Sequence, residues 1–159
     1  MRRGPEAGGR EPVSEALQAY ADRGVFRGFR ATPIARKKIE YQFLWLTKKP
    51  MTAVFDPAKK RLSFPSLLPQ LDKQGAALMK AVVDLRSTRN QPEHKRVDAR
   101  RGKISSAVRK GDFSLMMEIR GANHEYAVSK ALNVINELFV TLHEHHPDYL
   151  IERFGLSTE

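Results

Sequence analysis

Apolar and polar residues change period several times along this chain, and the changes divide it into helices and strands. Ile39, Tyr41, Phe43 and Trp45 alternate with Glu40, Gln42, Leu44 and Leu46, the period of two expected of a strand with one strongly apolar face. Pro50 ends it. Met51 to Phe55 and Arg61 to Phe64 are expected to form two further strands. Asp56-Pro57-Ala58-Lys59-Lys60 joins them, with Asp and Pro placed to suit a tight turn. After Pro65 and Pro69 the period lengthens. Leu71, Gly75, Leu78, Val82 and Leu85 recur at helical spacing, and Met79 and Val83 widen the stripe.

Ser87 to Glu93 is a polar connection, after which the strand period returns. Lys95 to Arg101 and Lys103 to Arg109 read as strands separated near Gly102. Arg109-Lys110-Gly111-Asp112 reads as a hairpin turn, in which Gly111 is free to take a positive φ. Phe113, Leu115, Met117 and Ile119 then share one face of a strand. Asn123 offers a cap for a helix from about His124 to His145. Its core stripe is Val128, Ala131, Leu132, Ile135, Leu138, Phe139 and Leu142. Pro147 interrupts, and Tyr149, Leu150, Ile151 and Phe154 suggest a short amphipathic ending before Gly155. At the other end, Ser14 caps a short helix that stops at Arg23-Gly24. Residues 1–12, rich in Gly and Pro with no large apolar residue after Met1, are expected to be a flexible tail before a single domain over 13–159.

The predicted order is helix, three strands, helix, three strands, helix. That order gives a two-layer α+β domain, a curved antiparallel sheet with helices packed mainly on one face. It resembles the curved-sheet arrangement of TATA-binding-protein-like domains and of type III secretion chaperones. Those chaperones are typically acidic, whereas this chain is basic, and no site residue is transferred from either. Leu44, Leu46 and Met116 fall on the strand face opposite the main apolar row. Apolar residues on a face without helices point to a partner surface, a second copy of the chain included, or equally to partial cover by the N-terminal helix or by residues 24–37.

Composition removes several chemistries. The 159 residues contain no cysteine, so disulfides, thiolate metal sites and cysteine nucleophiles are all excluded. No run approaches the roughly 20 apolar residues of a membrane-spanning helix, and no apolar stretch follows Arg2 and Arg3 as a secretory signal would require. A cytoplasmic protein without membrane contact is the expectation. Residues 100–105 (RRGKIS) echo the end of a phosphate-binding loop, but Val97 stands where its first Gly belongs and Ile104 where Ser or Thr does. His143 and His146 lie one helical turn apart, yet Pro147 occupies the position a metalloprotease motif gives to its second His. Imidazoles solvated at a helix C-terminus account for them. No nucleophile with a base and no carboxylate pair can be assembled from spacing, so neither catalysis nor a cofactor is expected.

Charge then changes the picture. The formal net charge is +10, and it is uneven. Residues 112–159 carry eight acids against three Lys and Arg, and residues 1–111 carry ten acids against twenty-five. Two stretches hold much of the excess. The first contains Arg27, Arg30, Arg36, Lys37 and Lys38, interleaved with Phe26 and Phe29. The second contains Lys95, Arg96, Arg100, Arg101, Lys103, Arg109 and Lys110. On a strand, Lys103, Ser105, Ala107 and Arg109 share a face that could follow a phosphate backbone. Charge on an edge strand also prevents edge-to-edge aggregation, and buried Phe residues anchor cores. The sequence therefore favours a non-catalytic interaction module that binds a protein partner or itself. Nucleic-acid binding through the two basic stretches is the alternative.

Overall fold

Glu11, not Ser14, starts the first helix. The structure is a computed structural model that describes residues 11–88 and 91–156, so the expected tail lies outside it except for its last two residues. Helix α1 (Pro12–Asp22) begins with Pro12 in the first turn, where a missing N–H costs nothing, and the Glu11 carboxylate accepts from Val13 N at 2.6 Å. That carboxyl is held above its ordinary range by burial, partly offset by the backbone hydrogen bonds it accepts. Ser14 turns inward instead, and its hydroxyl shares a buried 2.6 Å hydrogen bond with the Tyr41 phenol. Burial pushes that phenol well above its ordinary range.

The sheet has six strands, each antiparallel to its neighbours. Strand β1 (Arg27–Pro33) is followed by a short 3-10 turn (Ala35–Lys37), then β2 (Ile39–Leu44), β3 (Met51–Asp56) and β4 (Arg61–Leu68). Helix α2 (Lys73–Leu85) leads to β5 (Gly102–Arg109), β6 (Asp112–Ile119), α3 (His124–His145) and α4 (Pro147–Phe154). Spatial order is β1-β2-β3-β4-β6-β5. The two-layer α+β class holds, with the six strands divided four and two rather than three and three. Arg27–Pro33 forms the extra strand of the first group. The expected strand over 95–101 is irregular. Its backbone is held by turns and by side chains: Val97 N donates to Arg86 O at 2.8 Å, and Gly102 N to Asp98 O at 3.0 Å.

Alternation decides which face is covered. Tyr41, Phe43, Ala53, Phe55, Leu62, Phe64, Phe113, Leu115, Met117 and Ile119 are all buried on one side of the sheet. Against them lie the α3 stripe, all of whose predicted members are buried, and Val13 and Leu17 of α1. Each large apolar side chain buried this way contributes about 1.5–3 kcal/mol. In α2 the buried row is Gly75, Met79 and Val83, while Leu78 and Val82 are half-buried and Leu85 is exposed. The covered face is therefore the Gly75, Met79 and Val83 side of the expected stripe, and Leu85 falls outside it. Asp72 fixes its start by accepting from Gly75 N at 2.6 Å.

The β5–β6 hairpin closes through Lys110 and Gly111, with φ of 53° and 85°, the two positive values of a type I′ turn. A Cβ on Gly111 would also stand 3.2 Å from the Leu71 carbonyl. Gly111→Ala is expected to lower stability by about 1–2 kcal/mol, the ordinary cost of left-handed backbone for an L-residue. Urea unfolding measures it, and an unchanged midpoint would mean the turn relaxes freely.

Candidate functional site

Strand order separates the two basic stretches. The first lies on and beside β1 and the second leads into and along β5, and these are the two outer strands of the sheet. Five inter-strand steps of about 4.8 Å put roughly 24 Å between them. Arg27 and Arg30 are on β1, where Arg30 Nη2 donates to Gln42 Oε1 at 2.5 Å. Arg36 and Lys37 lie in the 3-10 turn, and Lys38 sits 3.9 Å from an Asp56 oxygen. Phe26 is only 3% exposed and stacks on Phe43 at 4.2 Å. It anchors the β1 edge to the sheet and offers no platform to a base.

The second stretch divides again. Lys95 to Arg101 belong to the irregular segment before β5. Lys95 contributes its carbonyl to Arg86 Nη1 at 2.7 Å, and the Arg96 carbonyl accepts from the Tyr126 hydroxyl at 3.4 Å. The Arg101 guanidinium lies 3.7 Å over the Tyr126 ring. The Arg100 side chain is 90% exposed beside Asp98, whose carboxyl is held below its ordinary range by hydrogen bonds from the Arg100 N–H and guanidinium. Lys103, Ser105, Ala107 and Arg109 share the uncovered face of β5, as their alternation predicts, and Lys110 stands in the turn.

The β1 edge is blunted. It has a bulge between Arg27 and Arg30, Gly28 at φ 63°, and Pro33 at its end, devices that keep a strand from pairing with another chain. The β5 edge lacks a bulge. All eight of its residues pair in unbroken register with β6. Gly111 in a two-residue turn makes Arg109–Asp112 a hydrogen-bonded pair, and Arg120 N donates to Arg101 O at the far end. Odd-numbered residues of β5 therefore face β6 with their backbone groups, and Ile104, Ser106 and Val108 present theirs outward. Among the described residues no loop or helix hydrogen-bonds to that outer row.

Beside the edge runs a groove of about 530 Å³ between β5 and α2. Its floor is Leu71, Ala76, Ala77 and Val108, the last 46% exposed. Lys73, Lys80 and Lys110 stand at its rim with Asp72. Two of the nearby acids are already engaged: Asp72 at the α2 cap, and Asp84 with Lys80 at 2.7 Å. Neither Ala76 nor Ala77 carries a sequence signal for this groove; it follows from the face of α2 that is left uncovered.

The remaining candidates do not assemble chemistry. His143 and His146 are not joined by a third ligand: among the described residues no three His, Asp or Glu side chains are grouped to hold a metal ion. A cleft of about 430 Å³ between α1 and β1 is lined by Ser14, Glu15, Gln18 and Asp22 above Phe29, Ala31 and Ile39, and the Ser14 hydroxyl is engaged by the Tyr41 phenol rather than by a carboxylate or imidazole. One buried polar centre was invisible to sequence. Arg86 is 2% exposed at the end of α2. Its Nε donates to Glu137 Oε1 at 2.7 Å, Nη1 to the Lys95 carbonyl and Nη2 to Asn133 Oδ1 at 3.0 Å, with a second contact from Nη2 to Glu137. No residue pattern announces it, because its partners lie 9 to 51 positions away.

No protein-family model, curated protein or solved structure matches this chain.

Proposed function

We propose that this chain is a non-catalytic interaction module that engages a polypeptide, from another protein or from a second copy, along the outer edge of β5. One observation carries the reading. An eight-residue edge strand in unbroken register leaves the outward N–H and C=O groups of Ile104, Ser106 and Val108 without a partner among the described residues, next to an apolar groove, while the opposite edge is blunted. Backbone pairing would supply affinity, and the groove would take every second side chain of the added strand.

Selection of a random twelve-residue display library on the purified chain tests it, with Ser106→Pro as counter-target. Ser106 donates outward, so proline there removes an edge donor without breaking the β5–β6 ladder. Enrichment on the wild-type chain and none on Ser106→Pro is expected. Equal enrichment on both, or on neither, with sedimentation showing one unchanging monomer, would overturn the reading.

Polyanion binding is a second reading, favoured by the exposed Arg100 and by the Lys103 and Arg109 row. It is narrowed to residues 95–110 by the separation of the two stretches. Arg100→Glu with Lys103→Glu should then weaken oligonucleotide binding for every sequence alike, with a shallower log–log salt slope. A steep slope lost in that double variant would displace the first reading.

A further inference from the structure

The geometry points to an acidic, extended segment of a different polypeptide as the occupant of the β5 edge, added as a seventh strand with its apolar side chains in the α2 groove. This rests on the reading above and names the partner that fits it. Self-pairing is disfavoured by the charges on the edge. An antiparallel two-fold through Ser106 would set Lys103 of each copy directly opposite Arg109 of the other, twice over. Like charges directly opposed across strands destabilise the pairing.

An acidic strand meets the opposite situation. Glu residues six positions apart would face Lys103 and Arg109 across the uncovered face, with small residues between them over Ser105 and Ala107. The β6 acids opposite those two cations are drawn elsewhere. Glu118 lies 3.8 Å from Arg61, and Asp112 accepts from Gln70 N at 3.0 Å. On the other face the added strand's alternate residues would rest on Ala76, Ala77 and Val108. Lys73 and Lys110 stand at that rim and favour acid next to the apolar positions.

A fluorescein-labelled heptapeptide Glu-Val-Thr-Val-Thr-Val-Glu, titrated into the full chain and followed by anisotropy, tests the proposal. Its counterpart has Lys in place of both Glu. The acidic peptide is expected to bind saturably, and the lysine peptide at least about tenfold more weakly. Ser106→Pro should weaken the acidic peptide at least about tenfold by removing an edge hydrogen bond and bending the strand. Ala77→Glu, on the exposed surface of α2, should do so by placing a like charge in the groove. It keeps the test decisive if the proline variant fails to fold. Equal affinity for both peptides, no binding of the acidic one, or indifference to Ala77→Glu would overturn the proposal. Display selection separates this failure from the broader one. Enriched sequences without acid that still require an unblocked Ser106 would leave the edge a binding site and refute the acidic partner. A dimer abolished by Ser106→Pro would do the same in favour of a second copy.

Discussion

Glu137→Leu is expected to lower the stability of this domain by about 3 kcal/mol, a large share of the 5–15 kcal/mol that holds a typical domain together. The cause is the partner it abandons. Arg86 is 2% exposed and directs four contacts at Glu137, Asn133 and the Lys95 carbonyl. Without the carboxylate, a buried guanidinium keeps its desolvation cost and loses its counter-charge, a change that typically costs 3–5 kcal/mol. The Glu137 side chain is 35% exposed, so water can enter the vacated place, and the low end of the range applies. Arg86→Met alone should cost less, because the carboxylate it frees can be hydrated. The double variant should be more stable than the sum of the two losses by at least about 1 kcal/mol, the signature of a coupled pair. Urea unfolding of the four proteins closes the cycle. Trypsin gives a second readout, because the Arg86 side chain and carbonyl pin Lys95 and Val97 to the body of the domain. Cleavage after Lys95 or Arg96 should accelerate in Glu137→Leu. Additive losses with unchanged cleavage would reduce Arg86 to packing.

The same pair shows where reading the sequence stops. Periodicity located α3 to the residue, because nine of its side chains are buried at helical spacing. It found the β6 face and the Lys110-Gly111 turn for the same reason: the pattern is local and one side of the element is dry. Arg27–Pro33 was not legible as a strand, since on this edge strand only Phe29 is even half-buried and no alternation survives. Residues 95–101 carry an apparent alternation, but Val97 alone among them is buried, and side chains rather than a neighbouring strand satisfy their backbone. The α2 stripe was legible as a helix, and its members Leu71, Gly75, Met79 and Val83 are buried as expected; Leu85 is exposed because the sheet and α3 decide which face of α2 is covered. For the candidate site, the face shared by Lys103 and Arg109 and the turn holding Lys110 were legible, but which edge of the sheet each basic stretch occupies was not. That β6 intervenes between β4 and β5 is a non-local fact, and it alone sends the two basic stretches to opposite edges. The unblunted edge and its alanine floor follow from the same fact, so they lie beyond any reading of charge.

Phe26→Ala should cost about 3–5 kcal/mol, the usual range for removing a buried Phe. Phe26 is the centre of an aromatic cluster in which Phe43 lies 4.2 Å away, Tyr20 and Trp45 5.6 Å and Phe29 6.3 Å, centroid to centroid. Aromatic pairs in such arrangements add about 0.5–1.5 kcal/mol beyond the area they bury. The residue also fixes the path of the chain. After α1, Gly24 takes φ 80° and Val25 N donates to Tyr20 O at 2.9 Å, so the backbone reverses and delivers Phe26 onto β2. Its loss should therefore loosen β1 before it loosens the β4–β6–β5 half of the sheet. Trp45 is the single tryptophan of the chain and touches the cluster edge-on, so its emission should shift to the red at denaturant concentrations where backbone dichroism is still native. The outcome also tests the assignment of Phe26 as an anchor of the β1 edge. A loss of stability with fluorescence change and no effect on oligonucleotide binding by the folded fraction makes Phe26 an anchor of the fold. A variant of unchanged stability with weakened oligonucleotide binding would make it a stacking platform, and the β1 edge would then replace β5 as the surface to pursue.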